Sequence, residues 1–349
     1  MKHLILVGAC YLDTILSVPH FPEEDSKLRA TRLAIRRGGN CPNSLEVLQQ
    51  LLEAEEEQGE GEGDGQRVRP YLVTTLPQQS SPATGRVLAS FGARPRVDFG
   101  HCLYRQGSTE AASSYILRSD ASGSRTIVNH SDLPEMTAAE FEAVVQAFAS
   151  DRHGRTWWHF EGRIPETTLA CVRLLRRELP AARVSVEIEK PGRLGLLELA
   201  AEADVVFYSR SWAESRGHKS AEECLKGEQR REGSLGLCTW GADGAAAMSQ
   251  PFGECLRFPV QQQPAGICVV DTVGAGDTFI AGMLYGLFCR RSPWDLGQST
   301  SFAVGLATLK VQREGFDGLG RDAVAPPARR FLPSDSSLSR SGGPITPGS

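Results

Sequence analysis

Short apolar runs alternate with helical patterns along almost the whole chain, and this alternation limits the fold more than any other feature. Residues 4–7, 68–74, 155–160, 184–188, 204–208 and 235–239 read as strands. Between and after them, residues 43–52, 167–179, 194–201, a stretch from about Ser220, and residues 278–289 place apolar positions at helical spacing. Buried strands separated by helices predict an α/β fold, a mostly parallel sheet covered on both faces. Two stretches break the pattern. Residues 12–37 are β-like but carry Pro19 and Pro22, and residues 111–129 read as a hairpin. Antiparallel pieces inserted early in such a chain predict a small β-sheet lid, built from about 12–37 and 108–130, over a ligand cleft.

Charge and composition exclude several functions. The 349 residues carry a net charge of −4, so no basic excess exists to grip a nucleic-acid backbone. No run of 18 apolar residues predicts a membrane span. The apolar run at the N-terminus is too short for a signal peptide, so a cytoplasmic location is expected. The nine cysteines form no C-x-x-C pair and the seven histidines no H-E-x-x-H. Small buried thiols in a reducing compartment are expected, with His159 structural.

Two segments stand outside the α/β body. Residues 53–64 hold seven acids, no base and three glycines, which predicts a disordered acidic loop insertion over 53–66. The tail over 319–349 has 15 Pro, Gly or Ser in 31 residues and reads as disordered. Setting these aside leaves one α/β domain over 1–318.

The most informative stretch is Val269-Val270-Asp271-Thr272-Val273-Gly274-Ala275-Gly276-Asp277-Thr278-Phe279. It reads as a strand ending at Val270, a loop of small residues, and a helix from about Asp277. Small residues bare the backbone N–H groups, and the helix N-terminus adds a positive dipole end, so this is a cradle for a phosphate or oxyanion. Asp277 at its centre is either a first-turn acid of the helix or a base that takes a proton from an attacking hydroxyl. No Walker loop, third glycine of a dinucleotide fingerprint, G-x-S-x-G or H-R-D is present.

Asp271-Thr-x-Gly-Ala-Gly-Asp277 resembles the C-terminal signature of the ribokinase-like (PfkB) carbohydrate kinases, and Arg37-Gly-Gly39-Asn40-Cys-Pro-Asn43-Ser resembles their N-terminal one. Gly-Gly-Asn-x-x-Asn is similar to the ketohexokinase (fructokinase) branch. Residues 21–26, 122–127, 159–163, 185–191 and 315–318 agree with that branch. The resemblance implies a ribokinase-like three-layer α/β/α fold and ATP-dependent transfer to an alcohol group, with fructose at C1 the expected acceptor. Asp277 would be the base, with Gly274, Ala275 and Gly276 as the anion hole. Asp13, Gly39, Asn40 and Asn43 would hold the sugar. Asp25 would reach the sugar site of a partner in a homodimer joined through the lids. Lys190, Arg125, Gly241, Asp243, Gly244 and Thr272 would contact ATP, and Glu187 and Glu189 would orient Mg²⁺ through water. A monovalent cation such as K⁺ is a further expectation.

The chain also departs from the family pattern. Ser209-Arg-Ser-Trp212 stands where many members carry Asn-x-x-Glu, and Ile280 replaces a polar residue. These departures keep two alternatives open. One is a kinase for ribose, another sugar or a nucleoside. The other is a degraded nucleotide- or sugar-binding pseudokinase.

Overall fold

Side chains alternate along β1 (Lys2–Val7): Leu4 and Leu6 enter one apolar cluster, Ile5 and Val7 a second. A strand apolar on both sides needs cover on both sides, and the rest of the chain supplies it. The computed structural model describes residues 1–57, 67–149, 155–249, 253–261 and 266–324. The further strands are β2 (Tyr11–Val18), β3 (Arg32–Gly38), β4 (Val68–Val73), β5 (Thr75–Pro77), β6 (Leu103–Arg105), β7 (Ser113–Ser119) and β8 (Arg125–His130). They continue as β9 (Arg155–Phe160), β10 (Arg183–Ile188), β11 (Val205–Tyr208), β12 (Leu235–Thr239), β13 (Ala245–Ser249) and β14 (Leu256–Phe258). The helices are α1 (Asn40–Glu57), α2 (Pro82–Ala89), α3 (Ala138–Ala149), α4 (Pro165–Glu178), α5 (Leu196–Glu202), α6 (Arg210–Ser215), α7 (Ala221–Gly227), α8 (Ala275–Leu284), α9 (Leu296–Val311) and α10 (Leu319–Val324).

The main sheet runs β14-β13-β12-β11-β10-β9-β1-β4. It is parallel from β4 to β12 and closes with two antiparallel strands at one edge. Side chains of α1, α8 and α9 fill one core; those of α3, α4, α5 and α7 fill the other. Adjacent Trp157 and Trp158 on β9 divide between the two cores, both fully buried. This is the three-layer α/β/α arrangement.

The second sheet, β3-β2-β7-β8, is the lid. Register gives it two distinct faces. Asp13, Ile15 and Ser17 of β2 share one with Arg36, Ala34 and Arg32 of β3 and with Ser114, Ile116 and Arg118 of β7. All nine line the cleft. The opposite face exposes Leu33, Ile35, Tyr115 and Val128.

Three sequence expectations need correction. The acidic run does not begin as a loop: α1 continues through Glu57, because Ala54 extends its buried stripe and Glu56 pairs with Arg96. The remainder, 58–66, lies outside the described residues. The tail begins with a helix, α10, whose buried Leu319 packs against the core that α1 lines; residues 325–349 lie outside the described residues. The run before the glycine loop is not a strand. Val269 and Val270 are largely exposed, and the amides of Val270 and Asp271 bond to the Val311 carbonyl at the end of α9.

One glycine sets the entry to α1. Gly39 has φ +108°, and a Cβ there would stand 2.2 Å from the Ala9 carbonyl oxygen. Both backbone strain and collision forbid a side chain. Gly39→Ala is therefore expected to destabilise the protein by about 2 kcal/mol or more, read as a lower Tm; an unchanged Tm would contradict this local geometry.

Candidate active site

The lid and the carboxyl ends of the parallel strands enclose a cleft of about 450 Å³. Asp13, Gly39, Asn40, Arg125, Glu189, Lys190 and Thr272 all line it. Sequence reasoning named each of them. It did not name Arg32, Arg36, Arg118, Arg163 and Arg193, which line the same cleft. Cations spread over four segments share no single local pattern, so only the fold gathers them. Arg36 lies 3.7 Å from Asp271 and Arg32 lies 3.2 Å from Glu314, so the lid is tied across the cleft mouth.

Asp13 is 9% exposed and sits against Gly38, where a Cβ would stand 2.3 Å from its carboxylate. Burial pushes its pKa up, against a Ser114 hydrogen bond and the charges of Arg36 and Arg37. A carboxylate so placed, still reaching the cleft, is suited to accept hydroxyl protons.

Asn40 is fixed by two acids. Its Nδ2 donates to Glu187 Oε2 at 2.7 Å and to Glu189 Oε2 at 3.0 Å. Period-two geometry explains why both acids meet one amide. With Nδ2 engaged, Asn40 has its carbonyl oxygen to offer a ligand. Glu187 is 3% exposed and does not line the cleft; Glu189 does. Behind Glu187 lies a chain of buried groups. Trp157 Nε1 donates to Ser185 Oγ at 2.8 Å, Ser185 Oγ is 2.9 Å from His159 Nδ1, and His159 Nε2 is 3.0 Å from Glu187 Oε1. A neutral His159 with its proton on Nε2 satisfies every member, and burial holds its pKa down at about 3. Cys41, His159 and Glu187 could together surround a metal ion. Here Cys41 instead donates to the Val7 carbonyl and His159 supports Glu187.

Asp277 occupies the first turn of α8, whose N-cap is Gly274 at φ 77°. It is 8% exposed, and its Oδ2 accepts from Asn43 Nδ2 at 2.7 Å. Ser44 Oγ holds its main-chain carbonyl at 2.9 Å, so α1 and α8 are locked together at this point. Burial raises the Asp277 pKa well above the ordinary range, Glu187, Glu189 and Glu161 raise it further, and the Asn43 bond opposes them. Burial likewise puts Glu187 at about 8 and Glu161 at about 7, each helped by a neighbouring carboxylate.

Several expected residues lie elsewhere. Asn43 is 6% exposed and does not line the cleft: Arg37 Nη1 donates to its Oδ1 at 3.1 Å, so both ends of the amide are taken by protein groups. Its amide nitrogen supports Asp277. Asp25 lies in an exposed loop at φ 60°, away from the cleft of its own chain. Gly241, Asp243 and Gly244 form the turn between β12 and β13, outside the lining. Gly274, Ala275 and Gly276 follow the lining residues Thr272 and Val273, and Ala275 N–H turns back to the Thr272 carbonyl at 3.3 Å. That leaves fewer free donors than three consecutive amides suggest. Where Asn-x-x-Glu was expected, Ser209 and Ser211 donate to the Glu189 carbonyl at 2.5 and 3.1 Å and steady the Glu189 backbone. Ile280 is buried in the core and takes no part in the cleft. At the base of the glycine loop, the fully buried Lys310 ammonium donates to Asp271 O and Oδ2, each at 3.1 Å, and to the Arg313 carbonyl at 3.3 Å. A tethered cation thus neutralises Asp271 and fixes the loop that leads into α8.

The pfkB family carbohydrate kinase model matches residues 1–319, which takes in both the lid and the Asp277 helix. The chain belongs to the pfkB family of carbohydrate kinases. It is 32% identical to mouse ketohexokinase over 328 residues, covering 91% of this chain and 99% of that protein. Among solved structures, Giardia lamblia ribokinase is similar at TM-score 0.70 and 16% identity, over 92% of this chain and 97% of that one. Arabidopsis thaliana ribokinase, solved with ribose and ATP, is similar at TM-score 0.68 and 16% identity, over 90% and 94%. The two ribokinases establish the fold; the family model establishes the class, phosphotransfer to an alcohol acceptor.

Crowded acids leave a pH signature. The folded pKa of Glu187, about 8, lies above its ordinary 4.5, so the folded state holds that proton longer than the unfolded one. Stability from this group is present at low pH and declines as pH rises from about 4.5 through about 8. The ligand-free Tm is expected to fall across that window and to fall less in Glu187→Gln; a wild-type Tm that rises there would contradict the burial of these acids.

Proposed function

We propose that the protein transfers the terminal phosphate of ATP to a primary hydroxyl of a ketose, with fructose at C1 the reference acceptor. The observation that carries this is the placement of Asp277, a nearly sealed carboxylate in the first turn of α8, four residues beyond the lining residue Val273 of a cleft that also holds Asp13, Asn40 and several cations. Asp277 Oδ2 is held by Asn43, and among the described residues Oδ1 accepts no hydrogen bond. That oxygen is the one to take the acceptor's proton, and its raised pKa makes it a stronger base than an exposed aspartate.

Asp13 and the Asn40 carbonyl would accept from the acceptor's other hydroxyls. The N-terminal end of α8, with Lys190 and Arg125 on the cleft wall, would stabilise charge on the transferring group. ATP and Mg²⁺ fit the donor set. The acid group Glu161, Glu187 and Glu189 is poorly compensated, and Mg²⁺ bound through water and phosphate oxygens supplies the missing positive charge. Glu189, which lines the cleft, and Glu187 behind it would orient that water shell, and the Gly241–Gly244 turn would border the nucleotide. The Arabidopsis ribokinase solved with ribose and ATP supports a cleft shared by sugar and nucleotide. The 32% identity to a ketohexokinase supports a ketose. Among the described residues no helix is long and apolar enough to cross a membrane, and reaction at a cytoplasmic ATP pool fits this reading.

Incubating the protein with Mg·ATP and a panel of ketoses, aldoses and nucleosides, and measuring ADP, tests the assignment. Fructose-dependent ADP is expected, with kcat in Asp277→Asn lower by about 10²-fold or more. Turnover that survives Asp277→Asn would overturn the base assignment. ATP binding without turnover of any acceptor would favour the pseudokinase.

The exposed outer face of the lid supports a homodimer. Leu33, Ile35, Tyr115 and Val128 form an apolar patch on neighbouring strands, and a second lid can cover it. Asp25, far from its own cleft, would then be available to a partner's sugar. Sedimentation should show a dimer that Ile35→Asp converts to monomer; a wild-type monomer would remove both the clasp and this role for Asp25.

A further inference from the structure

We propose that Arg37 is a positioning residue for phosphoryl transfer: its guanidinium dictates which way the Asn43 amide faces, so that the amide nitrogen holds the Asp277 carboxylate. This rests on reading Asp277 as the base. An asparagine amide can be turned end for end, and only one orientation serves here. Asp277 accepts, so it needs the amide nitrogen. Arginine only donates, so it needs the amide oxygen. Placing Arg37 on one side of Asn43 and Asp277 on the other leaves one orientation that satisfies all three. The contacts agree: Arg37 Nη1 to Asn43 Oδ1 at 3.1 Å, and Asn43 Nδ2 to Asp277 Oδ2 at 2.7 Å.

Arg37 is itself held from several sides. Its side chain is 2% exposed. Its Nη2 pairs with Glu46, one turn along α1 from Asn43. Its Nε donates to Ser90 Oγ at 3.1 Å, at the C-cap of α2, and its guanidinium lies 4.5 Å from the centre of the Phe91 ring. A planar fork with contacts in fixed directions cannot rotate without breaking several at once. Glu46 neutralises its charge but cannot meet all five N–H donors of a buried guanidinium. The further donation to an amide that touches the base gives the arrangement its direction, from the α2 end through α1 to α8.

The test uses kcat per ATP-binding site, the site concentration taken from calorimetric stoichiometry so that unfolded protein does not count. Arg37→Lys keeps the charge and loses the fork. It should lower kcat by about 10²-fold with the acceptor KM little changed. In an Asn43→Ala background, Arg37→Lys should cost little more, because the link through which it acts is gone. Effects that multiply in the double variant would make Arg37 a packing residue and overturn the proposal. A raised acceptor KM with kcat kept would overturn it differently, by placing Asn43 on the substrate. Should Arg37→Lys fail to fold, Ser90→Ala frees one edge of the fork; it should lower kcat by a smaller factor, again without additivity with Asn43→Ala, and an unchanged kcat would count against the proposal. Asp277→Asn, run beside these, separates the two readings: if it keeps full turnover, the base assignment fails whatever Arg37 does.

Discussion

Buried carboxylates at the carboxyl ends of parallel strands are the constraint on which the rest of this structure depends. Glu187 on β10 and Asp277 on α8 are nearly sealed from water, and Glu161 and Glu189 line the cleft wall. Ionised and unpartnered, such a group would cost far more than a domain's margin of stability. The chain answers with neutral donors instead of ion pairs. Asn40 serves Glu187 and Glu189, Asn43 serves Asp277, His159 serves Glu187, and the Ala9 amide donates to Glu161 at 2.8 Å. Neutral donors hold a carboxylate in place while leaving its proton affinity high, which a salt bridge would not do.

The same economy explains the cleft wall. Cations are abundant there, on the lid and on the loops after β9 and β10. They share the open volume with the carboxylates of Asp13, Glu161 and Glu189, while Glu187 and Asp277 lie outside the lining. The lid ties Arg32 and Arg36 to Glu314 and Asp271, so two of the cleft's cations are held where the small sheet meets the body. Lys310 anchors the far side, holding the loop that leads into α8.

Much of this was legible in the residues. Alternating strand and helix patterns carried the three layers, because each strand needs cover on two faces and shows it as a continuous apolar run. The lid was legible from prolines and a polar turn. Asp277 and its glycine loop were legible because bare backbone before a helix has few other uses. What was hidden depended on partners distant in sequence. Asn43 stands out in its motif, but only the fold shows that Asp277, 234 residues away, accepts from its amide. Lys310, 39 residues from Asp271, carries no local sign that its ammonium holds the loop before α8. The Val269–Val270 run looks like a strand because apolar β-branched residues favour one, yet among the described residues no strand pairs with it. The acidic run misleads in the other direction: its charge suggests a solvated loop, while its first residues continue a helical stripe already begun by Leu51 and Leu52.

Central to the account is the division of the two oxygens of Asp277, Oδ2 kept by Asn43 and Oδ1 proposed for the acceptor. A crystal structure with the ketose acceptor and an unreactive ATP analogue measures this directly. The account predicts an acceptor hydroxyl on Oδ1 of Asp277 while Asn43 remains on Oδ2 and Arg37 remains on Asn43. An acceptor hydroxyl bonded to Asn43, or lying against another carboxylate with Asp277 still sealed, would contradict it.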